Sequence, residues 1–93
     1  MEKLNFEWDE NKNISNIEKH HIDFNDGINI FRNPLILKED RRNDYGEKRW
    51  IAIGNLSEII VVAVYTIRND NIRIISIRIA NQNEKQKYHE NIK

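Results

Sequence analysis

Hydrophobic and polar positions change period along the chain. Asn5–Trp8 reads as a short strand. Asp9 follows in an N-cap position, where a carboxylate accepts hydrogen bonds from the free amides of the next turn. Residues 10–20 read as a helix, with Ile14 and Ile17 on one face and charged residues elsewhere. Asp23 caps a second predicted helix, Phe24–Phe31, on which Phe24, Ile28 and Phe31 recur at helical spacing. Asn33-Pro34 ends it, because proline disfavours helical geometry in the residue before it. Leu35–Lys38 then reads as an edge strand, Asp40–Glu47 as a charged loop, and Lys48–Ile53 as a strand that Gly54-Asn55 brings to a turn. Ile59–Ile67 is a longer strand, Asn69-Asp70-Asn71 a tight hairpin connection, and Ile72–Ala80 the last strand. Asn81, with Glu84 three residues on, forms a capping-box pattern that opens a helix to about Ile92. The order β-α-α-β-β-β-β-α predicts an α+β fold, a small antiparallel sheet with helices packed against it.

Composition narrows the function classes. At 93 residues the chain fits one domain, 1–93, with no Pro/Gly/Ser linker or internal repeat. It has no cysteine, which excludes a disulfide framework, a thiolate zinc site and a cysteine nucleophile. The N-terminus lacks the apolar stretch of a secretory signal, and the longest apolar run, Ile59–Tyr65, is far too short to span a bilayer. A cytoplasmic location and no membrane partner are the expectation. The formal net charge is zero, but residues 1–46 carry seven Lys/Arg against ten Asp/Glu, and residues 47–93 carry eight against five. The neutral chain is an acidic half joined to a basic half, so zero net charge does not exclude an anionic partner.

The candidate chemistry lies mostly in that basic half. There is no glycine-rich phosphate loop and no nucleophile-elbow serine. His20 and His21 are adjacent, about 100° apart on a helix, and do not chelate one ion easily. Arg49, Arg68, Arg73 and Arg78 fall on three sequential strands, where a guanidinium fork matches a phosphate. The plainer role for any one of them is a cross-strand ion pair with Glu47, Glu58 or Asp70. Strict alternation puts Arg73 and Arg78 on opposite faces unless a bulge intervenes or one lies beyond the strand end. Arg78, flanked by isoleucines and near the final helix, is favoured for a site, and Arg73, beside the hairpin turn, for the rim. Glu18-Lys19-His20-His21 ends the first helix. Cations there meet the helix dipole, or Lys19 and His20 transfer protons. Trp8 and Trp50 read as core, while Tyr65 and Tyr88 are candidate ring donors or base stackers.

These residues resemble a known family. Trp8-Asp9-Glu10-Asn11-Lys12, then Asn16, Lys19-His20 and Phe24, resemble the opening of the BrnT toxins. Arg49-Trp50-Ile51-Ala52-Ile53-Gly54 is similar to their R-W-x-x-I-G strand. Val64 to Arg68 and Ile72 to Ala80 resemble their closing V-x-x-T-x-R…I-R-I-I-S-A-R-x-A run, and Glu84 and Tyr88 match positions of the last helix. His21 stands where the family usually has glycine, Ile77 where it has alanine beside the second arginine, and Asn81 where threonine often opens the last helix.

The resemblance implies a RelE-like fold and the ribonuclease toxin of a type II toxin–antitoxin pair. It implies RNA cleavage that needs no metal or other cofactor and blocks translation. It also implies a BrnA-like antitoxin as partner, with operator DNA bound only through the antitoxin complex. On this reading Lys19, His20 and Glu47 supply the base and the acid, in either assignment. Arg68 and Arg78 stabilise charge on the phosphate, and Arg49, Arg73, Tyr65 and Tyr88 contact RNA. The alternative is a non-catalytic module whose basic strands dock an antitoxin or nucleic acid.

Overall fold

The computed structural model describes residues 4–92. Strand β1 (Phe6–Trp8) leads into helix α1 (Glu10–His20) and a short helix α2 (Phe24–Gly27), which tightens into a 3₁₀ turn over Ile28–Arg32. Strands β2 (Ile36–Asp40), β3 (Arg49–Leu56), β4 (Ile59–Arg68) and β5 (Asn71–Ile79) follow, and helix α3 (Gln82–Asn91) closes the chain. The five strands form one sheet in the order β1-β5-β4-β3-β2. It is antiparallel except at β1, which runs parallel to β5. The α+β architecture is the one the sequence pattern predicts, with that single parallel pair added.

Local chemistry sets the element ends. Asp9 caps α1 by accepting from Asn11 N at 2.9 Å, and Asp23 caps α2 by accepting from Asn25 N at 2.9 Å. The capping box at Asn81 and Glu84 is complete in both directions. His21 ends α1 in the left-handed conformation, φ 59°, and its N–H donates to Ile17 O. That conformation explains why glycine suits the position, since another residue costs about 1–2 kcal/mol there. Asn69 and Asp70 both take positive φ and make the predicted hairpin between β4 and β5.

The expected turn at Gly54-Asn55 is displaced. β3 continues through both residues to Leu56, and Ser57 and Glu58, both at positive φ, make the turn. Gly54 serves packing instead. A Cβ on it would lie 2.7 Å from Leu35 Cδ2 and 3.0 Å from Ile30 Cβ, so its missing side chain seats the 3₁₀ turn on the sheet.

Each sheet face carries its own core. Phe24, Ile30, Val61, Ala63, Tyr65, Ile74 and Ile77 pack on the face covered by α2 and the 3₁₀ turn, with Trp8 and Trp50 beside them. Ile51, Ile53, Ile60 and Val62 form the opposite face, where Ala80 and Tyr88 pack at one end under α3. Ile77, the bulkier residue beside Arg78, turns away from it into the first core and fills the space that Gly27 leaves open.

The packing of α1 corrects the amphipathic reading. Its buried residues are Asn13 and Asn16, whereas Ile14 and Ile17 are 49% and 38% exposed. The helix lies against the edge of β5 beyond the end of β1, and a sheet edge presents backbone N–H and C=O groups that need polar partners.

Candidate active site

One irregularity in β5 builds the basic face. Ile74 pairs with Tyr65 and Ser76 with Val64, so Ile75 is an extra residue, a β-bulge. The bulge reverses the parity beyond it. Arg73, opposite Thr66, and Arg78, opposite Val62, therefore share a face, contrary to strict alternation. Arg68 on β4 and Arg49 on β3 alternate with Val62, Val64, Ile51 and Ile53, and so lie on that same face. Glu7, opposite Arg73, and Lys38 and Asp40 on β2 join them. The charge asymmetry along the chain thus becomes one cation-rich face.

Carboxylates hold most of these arginines. Glu84 grips Arg78 with both oxygens, each at 2.8 Å. Glu47 accepts from Arg68 at 3.0 Å, and Glu7 accepts from Arg73 at 2.6 Å. Asp40 takes a two-point contact from Arg42, each bond 2.8 Å, and accepts from the Tyr45 hydroxyl at 3.2 Å. Of the partners expected from sequence, Glu47 is used; Glu58 and Asp70 are not among the ion pairs of the described residues. The hydrogen bond from Arg78 lowers the Glu84 carboxyl, and that from Arg68 lowers Glu47. Asn71 first and Arg73 second lower Glu7, and Arg42 holds Asp40 well below the usual carboxylate range. Glu84 in turn raises the Arg78 guanidinium.

Arg49 differs from its neighbours. Its guanidinium lies 3.9 Å above the Tyr45 ring, and its Nε is 3.5 Å from Glu47, yet that buried Nε has no hydrogen-bond partner. Tyr45, whose hydroxyl donates to Asp40, lies beneath it. Loop 41–48, which carries Tyr45, therefore supplies the floor of this corner.

Two hollows meet on the face at Ser76. One, of about 310 Å³, has a floor of Ile51, Ile53, Val62 and Val64 and a rim that includes Lys38, Arg42, Arg78 and Lys87. The other, of about 250 Å³, lies between α1 and β5 and is lined by Lys12, Asn16, Lys19, His20 and Ile75. Lys19 is exposed and His20 half-buried there. Lys12, Asn16 and Lys19 share the stripe of α1 that faces Ser76.

The structure therefore brings Lys19, His20 and Arg78 toward Ser76. It sets Arg68, Arg73, Arg49 and Glu47 at the other end of the same face. Arg68 and Arg78 lie six β4 register positions apart, about 20 Å, and their guanidinium groups are tied to different carboxylates. That separation is too long for both to meet one phosphate. The two tyrosines leave the contact set. Tyr65 is buried edge-on against Phe31 in the opposite core, where burial raises its hydroxyl pKa, and buried Tyr88 donates to Pro34 O at 3.0 Å. Neither presents a ring face for stacking. Sequence reasoning does not single out Ser76, Glu7, Arg42 or Tyr45 as site residues. The one available signal was Ser76, a lone small polar residue between the two arginines of β5.

Among the described residues, no three His, Asp or Glu side chains converge as metal ligands, and no helix is long and apolar enough to cross a membrane.

Residues 8–84 match the family described as the ribonuclease toxin, BrnT, of type II toxin–antitoxin systems. The fold is similar to the 1.1 Å crystal structure of the Brucella abortus ribonuclease toxin BrnT. The TM-score is 0.65 and the sequence identity 29%, over 86% of this chain and 100% of that one. Among curated proteins none matches.

Proposed function

Because the chain belongs to the BrnT family of ribonuclease toxins of type II toxin–antitoxin systems, we propose that its arginine-bearing sheet face holds single-stranded RNA and cuts it without a metal ion, blocking translation. The observation that carries this reading is the Ile75 bulge, which turns Arg78 to the face of Arg49, Arg68 and Arg73, at the end of that face where Lys19 and His20 line the hollow at Ser76. The 2′-hydroxyl of the RNA attacks the adjacent phosphorus, forming a 2′,3′-cyclic phosphate and releasing the 5′-oxygen of the next nucleotide. A base accepts the hydroxyl proton and an acid protonates the leaving oxygen. Lys19 and His20 are positioned for these transfers at the edge of β5. Arg78 stabilises the negative charge that develops on the phosphate oxygens. Glu47, ionised and bound to Arg68, orients guanidinium groups and is poorly suited to donating a proton.

Arg49, Arg68 and Arg73 take neighbouring phosphates, which positions the strand without reading its sequence. Arg68 is the most exposed of them, whereas the unpaired Nε of Arg49 is buried. A BrnA-like antitoxin neutralises the activity, and operator DNA is bound through that complex. On induction in a bacterial host, the unsubstituted chain is expected to arrest growth with loss of full-length RNA, and a co-expressed cognate antitoxin is expected to restore both. Continued growth with intact RNA at a protein level visible on a blot contradicts the enzyme. If the antitoxin still binds that inert protein, the non-catalytic docking module takes its place.

A further inference from the structure

The buried polar stripe of α1 has a use that the chemistry above leaves unassigned. β1 pairs with β5 only from Ile72 to Ile74, then leaves the sheet as α1. Beyond Ile74 the outer edge of β5 has lost its neighbouring strand. Asn16 takes the vacant place. Its Nδ2 donates to Ile77 O at 2.9 Å and its Oδ1 accepts from Ile77 N at 3.0 Å, so one carboxamide pairs with one residue as a neighbouring peptide group would. The second Nδ2 hydrogen goes to Ile22 O at 3.0 Å, just past the left-handed end of the helix. Asn16 is 5% exposed.

This three-point contact fixes how α1 is rolled against the sheet. A carboxamide is planar, and satisfying both groups of Ile77 holds that plane close to the plane of the sheet. Lys19 and His20 lie three and four residues further on, on the same side of the helix. Ile77 lies between Ser76 and Arg78. The bond to Ile22 holds the end of α1, where Lys19 and His20 sit. Losing Asn16 frees the proton-transfer stripe to rotate and slide relative to Arg78, although no substrate-contacting atom is removed.

We infer that Asn16 is a positioning residue for the cleavage reaction, setting Lys19 and His20 in register with Ser76 and Arg78. The inference rests on the ribonuclease reading above. Asn13 is its internal control. It is equally buried on the same helix, one turn earlier, and its side chain bonds Phe24 N and Asp23 Oδ1, away from Ser76.

The test compares N16A with N13A on a short synthetic RNA, at a temperature where circular dichroism shows both folded. N16A is expected to lower kcat about 10–100-fold with KM nearly unchanged, the size of effect a small misplacement produces. N13A is expected to lower the melting temperature while keeping kcat close to that of the unsubstituted protein. Wild-type kcat in N16A, or an equal kcat loss in N13A, overturns the inference.

If N16A does not fold, N16D decides. The ionised carboxylate of that variant keeps the acceptor for Ile77 N but has no hydrogen for Ile77 O or Ile22 O, and protonation restores one donor. The charged and titratable groups around its cavity are Lys12, Lys19 and His20. The readout is the ratio of variant to wild-type kcat at each pH. That ratio is expected to rise toward one as pH falls, and a flat ratio overturns the inference.

A readout without cleavage keeps the two readings distinct. In amide NMR spectra, N16A is expected to shift Lys19–His21 and Ser76–Arg78 together, whereas N13A leaves both groups in place. Those joint shifts in a protein that cuts no RNA would contradict the ribonuclease reading alone. Absence of the shifts in N16A would contradict the positioning role alone.

Discussion

Arg78→Ala is expected to lower RNA cleavage about 100–1000-fold while leaving the domain folded. The two halves of this expectation have different physical origins. Charge builds on the phosphate oxygens in the transition state, and removing one prearranged donor from such a site costs about that factor. The guanidinium contributes little to the fold, because its bond to Glu84 is an ion pair at a half-exposed position, worth about 1 kcal/mol or less. Glu84 keeps a second partner in the variant, the Asn81 backbone N–H at 2.8 Å, so the capping box survives. Cleavage rates on a synthetic RNA, with thermal melts of the same samples, separate the effects. An unchanged rate would remove Arg78 from the mechanism, and a lost fold would make its role structural.

Phe24→Ala has the largest expected effect on stability, about 3–5 kcal/mol. Phe24 is fully buried, meets Trp8 edge-on with ring centroids 5.9 Å apart, and holds α2 against the sheet. Its N–H also donates to Asn13 Oδ1 at 2.9 Å, so the cavity would open where α1 and α2 are joined. A domain of this size has about 5–15 kcal/mol in total, so the variant is expected to lose much of its margin. Urea denaturation measures this directly. A loss below about 1 kcal/mol would mean that the site collapses around the missing ring.

What could be read from sequence depended on which force wrote the pattern. Strand alternation and helix caps are local, and Asp9, Asp23, Asn81 and the Asn69-Asp70 hairpin appear where local chemistry puts them. The orientation of α1 is not local. An apolar stripe at Ile14 and Ile17 reads as the buried side when a helix packs on a sheet face. This helix packs on a sheet edge, whose backbone groups must be hydrogen-bonded, so Asn13 and Asn16 go inward. Gly54 looked like a turn because glycine permits turns; its close approach to Ile30 and Leu35 exists only in three dimensions.

The candidate site shows the same division. Its residue types and family motifs were visible, and the register that assembles them was not. A single extra residue at Ile75 inverts the parity of Ser76, Ile77 and Arg78, and nothing in the composition of β5 marks it. Tyr65 and Tyr88 are polar-tipped aromatics suited to stacking, but each spends its ring on a core. The distribution of charge was informative where net charge was not, since the arginines of the basic half do share one face.

In the proposed reaction the RNA is cut on this face by attack of the RNA's own 2′-hydroxyl, with no metal ion. The most direct measurement incubates purified protein with a synthetic RNA in excess EDTA and identifies the new ends. Cutting is expected at an undiminished rate, with 2′,3′-cyclic phosphate and 5′-hydroxyl ends, and no cutting where a 2′-deoxynucleotide precedes the bond. Cleavage that requires an added divalent cation, or that leaves 5′-phosphate ends, would contradict it.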